Sequence, residues 1–576
     1  MILGLASLAA ANAAVFLAAR ALVGRFGTGS PHVDLVLLLA ARLGLISLAM
    51  LAAGVAGVLT PWALGAAGLL VTIALLLLRK RVPSPAWPRM DGEKIFMALL
   101  GLVGLRLLLQ VWFFAPYNYD AVSYHLTKIP EWVRAGGFVR EMGVDTHATF
   151  PAGFELVELW WVVFLRHDVL IEMAGVEFLA LVGASALALA RELGLSERAS
   201  SWAALATVVV PGLNISATSC LNDVPIAALV LATMVLLRFK GAWPWLALVG
   251  GLGVGIKPTY GYAIPGFLLL WWWGRKDRRD LRPLPWTAAG AIGLMGAIAG
   301  LFWYVRNTLW FGNPVHPVGT RGLVGGTGQL KIQVGPSLES GWRNLMALLN
   351  QRVHDDSMAY GALLNHLSGW GAAAFACGGV ALWIWGREDR RIVRVLVASL
   401  VSMLAILFLV NHDPWCLRFV LFVPVILVLA AVWFAARSRA ARWILGGALA
   451  FQWAATLVPV DLRLEHAVAL ARMPWRERSF GAVLGSMPAT LEPVVFRVIE
   501  PVHDRGESYI LYGPDYRREV VYFRGKTAED LAQAIEEHSA RWVYSARVNP
   551  KGDPLLAELI RRKALVPESA RLHRRP

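Results

Sequence analysis

The stretch that decides the fold is "IFMALLGLVGLRLLLQVWFFAPYNYDAVSYHLTKIPEWV" (95–133), in which an apolar run is followed directly by polar and aromatic residues. The apolar run, 95–114, is long enough to cross about 30 Å of hydrocarbon, because a transmembrane helix needs about 20 residues. Residues 117–133 then place an Asp, a His and a Lys among Tyr and Trp side chains. This pattern predicts a membrane-spanning helix followed by a polar segment at the membrane surface.

The composition of the whole chain indicates the same class of protein. The chain has 576 residues, of which 57% are hydrophobic and 16% charged, and its mean hydropathy is +0.55. A soluble protein is closer to a quarter charged, so a polytopic membrane protein is indicated. The net charge of +16 does not indicate nucleic-acid binding, because no basic stretch forms an amphipathic or aromatic-interleaved domain. The cysteines (Cys220, Cys377 and Cys416) form no CxxC pair and say little about the compartment.

Long apolar runs recur along most of the chain, and we expect about 12–14 transmembrane helices in a mostly α-helical bundle. The predicted spans are 3–24, 33–57, 61–79, 95–114, 169–190, 201–219, 224–238, 244–257, 259–274, 285–305, 360–386, 395–411, 418–436 and 443–459. The first run lacks the positive n-region of a signal peptide, so we interpret it as a retained transmembrane helix.

The charges of the loops predict the orientation of these spans. Short basic loops occur at 79–94, 191–198, 274–282, 386–394 and 436–442. The predicted spans place all of these loops on one side, which the positive-inside bias makes cytoplasmic. The intervening loops, 115–168, 219–223, 306–359 and 411–418, are then expected on the extracytoplasmic side.

The composition changes after the last span, and residues 460–576 are predicted to form a small extracytoplasmic α/β domain. "SYILYG", "EVVYF" and "RWVYSA" are typical of strands, and "TAEDLAQAIEEHSA", capped by Thr527, and "DPLLAELIRRKAL" are typical of helices. No GxGxxG or P-loop motif indicates a nucleotide site there. We therefore expect N-terminal helices in 1–94, a transmembrane core in 95–459 with extracytoplasmic loops 115–168 and 306–359, and this domain after it.

Two acidic residues on the predicted extracytoplasmic side stand at the starts of helices. Asp120 precedes a segment with Val122, Leu126 and Ile129 on one stripe, which predicts a helix lying in the membrane interface with its apolar side in lipid. Asp223, in "SCLNDVPIAAL", begins another helix. Each aspartate is either a helix cap or a functional acid.

Basic residues occupy the ends of spans on the same side. Lys257 either reaches towards the interface or binds an anionic group, and Arg306 and Arg418 each lie at the end of a span. The cluster at 354–356 (His, Asp, Asp) could hold a divalent cation, although it lacks a second set of ligands. Carboxylates suit proton abstraction and clustered cations suit a phosphate leaving group. Together these groups indicate transfer from a lipid phosphate.

At these residues the chain resembles the bacterial GT-C glycosyltransferases, in the group that contains protein O-mannosyltransferases and lipid A aminoarabinose transferases. The resemblance covers about residues 95–440. It rests on ordered short motifs, namely "YDAVSYHLTKIPEWV", "FPAGFELVELW", "NDVPIAAL", "GIKPTYG", "RNTLWFGNPVHP" and "LRFVLFVP".

The resemblance implies an inverting transferase that moves a sugar from a polyprenyl-phosphate donor to an extracytoplasmic glycan, lipid or protein. It implies a multi-pass protein of the bacterial inner membrane. By the resemblance, Asp120 is the catalytic base and Asp223 a second acid. The implied donor-binding residues are Tyr124, His125, Lys257, Arg306 and Arg418.

Some features depart from these families. Asp120 has no acidic neighbour, unlike the Asp-Glu pair of the O-mannosyltransferases, and no WWDYG-like stretch of an oligosaccharyltransferase is present. Two other functions remain open at this point. One is a transporter or flippase for a lipid-linked sugar, and the other is an O-antigen ligase or polymerase with its catalytic residues in loop 306–359.

Overall fold

The fold is mostly helical, as expected from the sequence. A computed structural model describes residues 2–78, 84–88, 94–116, 118–140, 146–281, 283–318, 336–350, 371–413, 416–457, 464–478, 492–497, 508–545, 553–569 and 571–576. Within these residues, 6 helices are long and apolar enough to cross a membrane. They are Ile2–Phe26, Pro31–Val55, Lys94–Phe113, Asp168–Glu192, Trp286–Phe311 and Arg390–Leu409. The chain therefore has the character of an α-helical membrane protein.

The predicted apolar runs correspond closely to helices. The helices of the first half are α1 (Ile2–Phe26), α2 (Pro31–Val55), α3 (Pro61–Leu77), α4 (Lys94–Phe113), α5 (Lys128–Ala135), α6 (Gly153–Val163), α7 (Met173–Glu192), α8 (Glu197–Val208), α9 (Pro211–Ser216), α10 (Asp223–Leu236), α11 (Trp243–Ile256), α12 (Ile264–Trp273) and α13 (Trp286–Phe311). Those that follow are α14 (Leu338–Asn350), α15 (Ala372–Glu388), α16 (Arg390–Leu409), α17 (Val423–Arg437), α18 (Arg439–Leu457), α19 (Leu464–Arg472), α20 (Ala528–Glu537) and α21 (Pro554–Arg561). The run predicted at 201–219 divides into α8 and α9, because Pro211 cannot continue the preceding helix.

The N-terminal helices are tied to the rest of the bundle by a polar network inside it. Arg42 of α2 donates to both carboxylate oxygens of Glu177 in α7, at 2.9 and 2.8 Å. Asn12 of α1 accepts a hydrogen bond from Arg42 at 2.6 Å, and Trp161 of α6 donates to Glu177 at 3.1 Å. This network joins four helices, and the sequence reasoning missed it because these residues are scattered singly through apolar runs.

The segment that follows α4 is part of the protein core. It forms a π-helical turn, Ala121–His125, and then α5. Its apolar stripe (Val122, Leu126 and Ile129) is at most 3% exposed. The prediction that this stripe lies in lipid is therefore wrong, because neighbouring parts of the protein cover it.

The end of the chain contains a five-stranded sheet with the strand order β4-β3-β5-β7-β6. The strands are β3 (Val494–Arg497), β4 (Val520–Phe523), β5 (Trp542–Ser545), β6 (Val566–Pro567) and β7 (Leu572–Arg574), whereas β1 (Phe239–Lys240) and β2 (Arg279–Asp280) form a separate short parallel pair. Strands β4, β3 and β5 are parallel, and β7 is antiparallel to both β5 and β6. The predicted strands at β4 and β5 and the Thr527-capped helix α20 are confirmed. The strand predicted at "SYILYG" is wrong, since Ser508–Tyr512 forms a 3-10 turn.

That 3-10 turn attaches the end of the chain to the helical bundle. Tyr509 donates a hydrogen bond to Asp168 at 3.0 Å. Tyr512 donates to Glu131 of α5 and lies 2.8 Å from the hydroxyl of Tyr522. Helix α5 therefore contacts the C-terminal part of the chain as well as the helical bundle.

We predict that Glu177→Gln lowers the melting temperature of the detergent-solubilised protein. Arg42 and Glu177 are 13% and 12% exposed, and loss of one partner from a largely buried ion pair costs about 3–5 kcal/mol. The matched control is Glu339→Gln, which removes an acid from an exposed pair with Arg343 that contributes about 0.5 kcal/mol. Equal shifts for the two variants would contradict a stabilising role for the network.

Candidate functional site

Four of the residues predicted from the sequence meet in one ion-pair cluster. Lys257 Nζ lies 3.0 Å from Asp223 Oδ1, and Arg418 Nη1 lies 2.9 Å from Asp120 Oδ2. Arg418 Nε is 3.8 Å from Asp223 Oδ2, which joins the two pairs. Asp413 completes the cluster, with Oδ2 3.6 Å from Arg418 Nη2. We call these five residues the ion-pair cluster.

Four of the five members of the ion-pair cluster come from a break or an end of a helix, and Asp413 lies in the loop after α16. Asp120 stands where the chain enters the π-helical turn, Asp223 begins α10, and Lys257 follows the last residue of α11. Arg418 lies in a 3-10 turn, Cys416–Val420, just before α17. Backbone breaks at these positions let polar side chains from distant parts of the chain converge.

The contacts of Asp120, Asp223 and Lys257 are not those of helix caps or of a lysine that reaches towards the interface. The side chain of Asp120 makes no capping hydrogen bond to the turn that follows it. The cap position of α10 is Asn222, and the Asp223 carboxylate contacts Lys257 and Arg418 instead. Lys257 is only 22% exposed and pairs with Asp223. We therefore treat the ion-pair cluster as a candidate functional site.

Arg418 is the centre of the cluster. Burial alone would lower the pKa of its guanidinium, but the carboxylates of Asp223, Asp120 and Asp413 hold that pKa well above its usual value. The Arg418 guanidinium carbon also lies 5.2 Å from the centre of the Phe419 ring. Lys257 Nζ lies 4.6 Å from the centre of the same ring. The side chains of Arg418 and Lys257 thus lie against the same aromatic ring at a partly enclosed site.

A cavity of about 460 Å³ opens beside the ion-pair cluster. Its wall contains three predicted residues, Tyr124, His125 and Lys257. Many of the other lining residues are aromatic or polar, among them His147, Phe150, Asn222, Tyr262, Tyr304, His316 and Asn411, and the rest include aliphatic side chains and prolines. We call this space the aromatic cavity. Its volume is in the range of small-molecule sites in proteins, and Lys257 belongs to both the cavity and the cluster.

The wall of the aromatic cavity is held by a buried glutamate that the sequence reasoning missed. Glu155 Oε1 of α6 lies 2.8 Å from Lys128 Nζ and 3.0 Å from His125 Nδ1. Burial would raise the pKa of Glu155, but Lys128 and His125 lower that pKa to about 2. Glu155 is therefore an ionised residue that fixes the positions of His125 and Lys128.

The pKa of Glu158, one turn further along α6, is shifted in the opposite direction from that of Glu155. It is completely buried, and burial together with the charge of Glu155 raises the pKa of Glu158 well above its usual value. The sequence signal for both residues was present in "FELVELWW", since an ionisable residue within an apolar run generally marks a functional or paired position.

Arg306 lies beside the site rather than in the ion-pair cluster. Its guanidinium donates to the carbonyl of Thr149 at 2.6 Å and to Asn307 Oδ1 at 3.0 Å. Asn307 in turn donates to the carbonyls of Thr149 and His316 at 3.2 and 3.1 Å. Arg306 therefore fixes the short turn that carries His147 to the aromatic cavity.

A metal centre receives no support from the described part of the chain, which contains no group of three or more His, Cys, Asp or Glu side chains arranged to hold a metal ion. The predicted cation site at 354–356 lies outside the described residues, as does part of loop 306–359.

Comparison of the chain with protein-family models, curated proteins and solved structures found no match. Inference about function therefore rests on the geometry of the ion-pair cluster and the aromatic cavity.

We predict opposite effects on stability for two neighbouring substitutions in α6. Glu155→Gln leaves Lys128, which is 1% exposed, without its counter-charge, and should cost about 3 kcal/mol at pH 7. Glu158→Gln replaces a buried carboxyl by a neutral isostere, and should leave the stability unchanged or increase it at pH 7. The melting temperatures of the two variants in detergent check this prediction, and equal shifts would contradict it.

The pH dependence should separate these two glutamates further. The pKa of Glu155 falls from 4.5 to about 2 on folding, so its stabilisation is present above about pH 4.5 and is lost as the pH falls towards 2. The pKa of Glu158 rises on folding, so its protonated form favours the fold at low pH and the advantage is lost as the pH rises above about 4.5. We expect the deficit of Glu155→Gln to shrink in acid and the gain of Glu158→Gln to grow towards neutral pH. Melting curves from pH 3 to 8 measure both differences.

Proposed function

We propose that the protein is an inverting glycosyltransferase of the GT-C type, which moves a sugar from a polyprenyl-phosphate donor to an acceptor at the extracytoplasmic surface of a bacterial inner membrane. The observation that carries the proposal is the position of the ion-pair cluster, in which acids and cations converge at the edge of the aromatic cavity. A transferase of this kind needs a base for the acceptor, cations for the leaving phosphate and aromatic surfaces for the sugar.

Lys257 and Arg418 are suited to the donor phosphate. Both are cations at one site, and Lys257 also lines the aromatic cavity. A phosphate that enters there would compete with the carboxylates for these cations, because a charge-assisted hydrogen bond to phosphate is as strong as one to a carboxylate. Negative charge that develops on the departing polyprenyl phosphate would be stabilised by the same two groups.

Asp120 is suited to accept the proton of the acceptor. In the reaction we propose, Asp120 takes the hydroxyl proton as the acceptor oxygen forms a bond to the anomeric carbon. The bond between that carbon and the phosphate oxygen breaks at the same time, and polyprenyl phosphate leaves with the electron pair. Attack and departure on opposite faces of the sugar invert the anomeric configuration. Asp223, held by Lys257 at 3.0 Å, would orient the lysine and contact the acceptor or the sugar.

The proposed sidedness agrees with the positions of the residues. The ion-pair cluster combines side chains from the loops predicted to be extracytoplasmic, and the 3-10 turn Ser508–Tyr512 contacts Glu131 and Asp168 close to the same segment. The proposed organisation has about 12–14 spans, a catalytic core in 95–459 and an extracytoplasmic α/β domain in 460–576.

Transport of a lipid-linked sugar is a second candidate, and one observation favours it. Several ionisable residues are buried among the helices, among them Glu158, Glu172 and the Arg42–Glu177 pair. Ionisable groups inside a membrane bundle commonly mark transport pathways. An O-antigen ligase would depend on loop 306–359, much of which lies outside the described residues.

We predict that Asp120→Asn lowers turnover by about 10²–10⁴-fold, the range expected for loss of a general base. The measurement is the release of polyprenyl phosphate from a panel of polyprenyl-phosphate sugars by the purified protein, in the presence of membrane-derived acceptors. Donor binding should persist, because Lys257 and Arg418 remain in place.

The matched control is Asp413→Asn, which removes another carboxylate from the same guanidinium of Arg418 and should reduce turnover less than about tenfold. Equal activities of wild type and Asp120→Asn would rule out Asp120 as the base. If the wild type releases no polyprenyl phosphate but moves a labelled lipid-linked sugar across proteoliposomes, the function is transport.

We further predict that Lys257→Met weakens binding of the donor by about 10–100-fold, since a hydrogen bond to a charged group contributes about 1.5–3 kcal/mol. Lys240→Met is the control, because Lys240 is 52% exposed and pairs with Asp280 at another site. Donor affinity in detergent, measured by competition with a labelled polyprenyl phosphate, checks the prediction. Equal affinities of the two variants would exclude Lys257 from the phosphate site.

A further inference from the structure

We propose that a second cavity, between α8, α17 and α18, binds one anionic phospholipid, with the headgroup at Arg198 and Arg442 and an acyl chain along the apolar wall. This site is independent of the proposed transfer reaction. It shares no lining residue with the aromatic cavity.

The second cavity has a volume of about 450 Å³. It is lined by Ser196, Arg198, Ala199, Trp202, Val432, Ala435, Ala436, Arg442, Leu445, Gly446 and Leu449. Helix α17 starts just after Arg418 and reaches this cavity with its last turns. At 1.5 Å per residue, the second cavity lies roughly 20 Å from the ion-pair cluster.

The polar end of the second cavity is suited to an anion. Arg198 and Arg442 both contribute to its lining, and neither belongs to the ion-pair cluster. Helices α8 and α18 begin beside them, at Glu197 and Arg439, so the positive ends of two helix dipoles lie in the same region. The loop at 436–442 ("ARSRAAR") contains three arginines and no acid. Glu197 stands next to Arg198, but among the described lining residues two are arginines and none is an acid, so the cavity favours a phosphate group.

The remainder of the wall is suited to a hydrocarbon chain. Trp202, Val432, Leu445 and Leu449 offer aliphatic and aromatic surface, and Trp202 is itself braced by Phe96 at a ring distance of 5.6 Å. Trp443, next to Arg442, is 74% exposed, as expected of an aromatic residue at the boundary of a membrane. A soluble phosphate would leave this apolar wall in contact with water, whereas a lipid covers it. We therefore commit to a phospholipid rather than a free anion.

Native mass spectrometry of the full-length protein in detergent tests the charge of the ligand. Phosphatidylglycerol and phosphatidylcholine are added separately to wild type and to the double variant R198Q/R442Q. We expect the wild type to retain one phosphatidylglycerol with at least tenfold preference over phosphatidylcholine, and the double variant to lose about tenfold of that preference. The control R275Q/R387Q removes two arginines that pack on Trp272 and Trp383 outside the cavity, and should behave as wild type.

Two adjacent glycines of α18 provide a test of the cavity itself. An added Cβ at either Gly446 or Gly447 would meet no atom within 4 Å, but only Gly446 lines the second cavity. Gly446→Leu should therefore reduce the retained phosphatidylglycerol at least fivefold, while Gly447→Leu should not. Because an added Cβ meets no atom at either position, this pair keeps the proposal testable even if R198Q/R442Q does not fold.

Three results would overturn the proposal. The first is equal retention of the two lipids by the wild type, and the second is equal lipid retention by Gly446→Leu and Gly447→Leu. The third is displacement of the retained phosphatidylglycerol by millimolar inorganic phosphate, which would assign the arginines to a soluble anion.

Discussion

The contact on which the candidate site depends is that of the Arg418 guanidinium with three carboxylates. Asp120, Asp223 and Asp413 come from distant parts of the chain, and Arg418 brings them within 3.8 Å of one group. Partly buried charges carry a large desolvation penalty, so each is tolerated only while its partners remain. Together with Lys257, the cluster contains three carboxylates and two basic side chains. In the proposed reaction, the donor phosphate would draw Arg418 and Lys257 away from the carboxylates. Asp120 would then accept a proton more readily once the donor is bound.

The segment 118–135, which carries Asp120, is held in place by contacts with two other parts of the molecule. Glu155 of α6 holds His125 and Lys128 from the bundle, and Tyr512 holds Glu131 from the end of the chain. The sheet that follows is thus connected to the segment of the aromatic cavity's wall through the 3-10 turn and the residues just after it, where the carbonyl of Pro514 accepts a hydrogen bond from the Asp168 N–H at 3.3 Å.

Most helices, and four of the five residues that meet in the ion-pair cluster, could be predicted from the sequence, for different physical reasons. Apolar runs of about 20 residues have few folded alternatives to a helix, and the charges of the loops predicted one common side for Asp120, Asp223, Lys257 and Arg418. The lipid-facing assignment of Val122 and Leu126 failed because an apolar stripe looks the same whether lipid or protein covers it. Glu155 escaped notice because its partners, Lys128 and His125, lie on another segment. "SYILYG" was misassigned because its tyrosines serve hydrogen bonds to Asp168 and Glu131 rather than a sheet.

The contacts of Arg306 restrict which cations can serve a leaving phosphate. Its guanidinium already donates to Thr149 and Asn307 and lies 4.7 Å from the ring of Trp303. To bind a phosphate through these same donors it would have to give up the carbonyl of Thr149, and the turn that carries His147 would keep only the hydrogen bond from Asn307. Lys257 and Arg418, by contrast, can exchange one carboxylate for a phosphate without releasing any backbone segment. In the proposed reaction Lys257 and Arg418 would therefore bind the phosphate, and Arg306 would position the wall of the aromatic cavity.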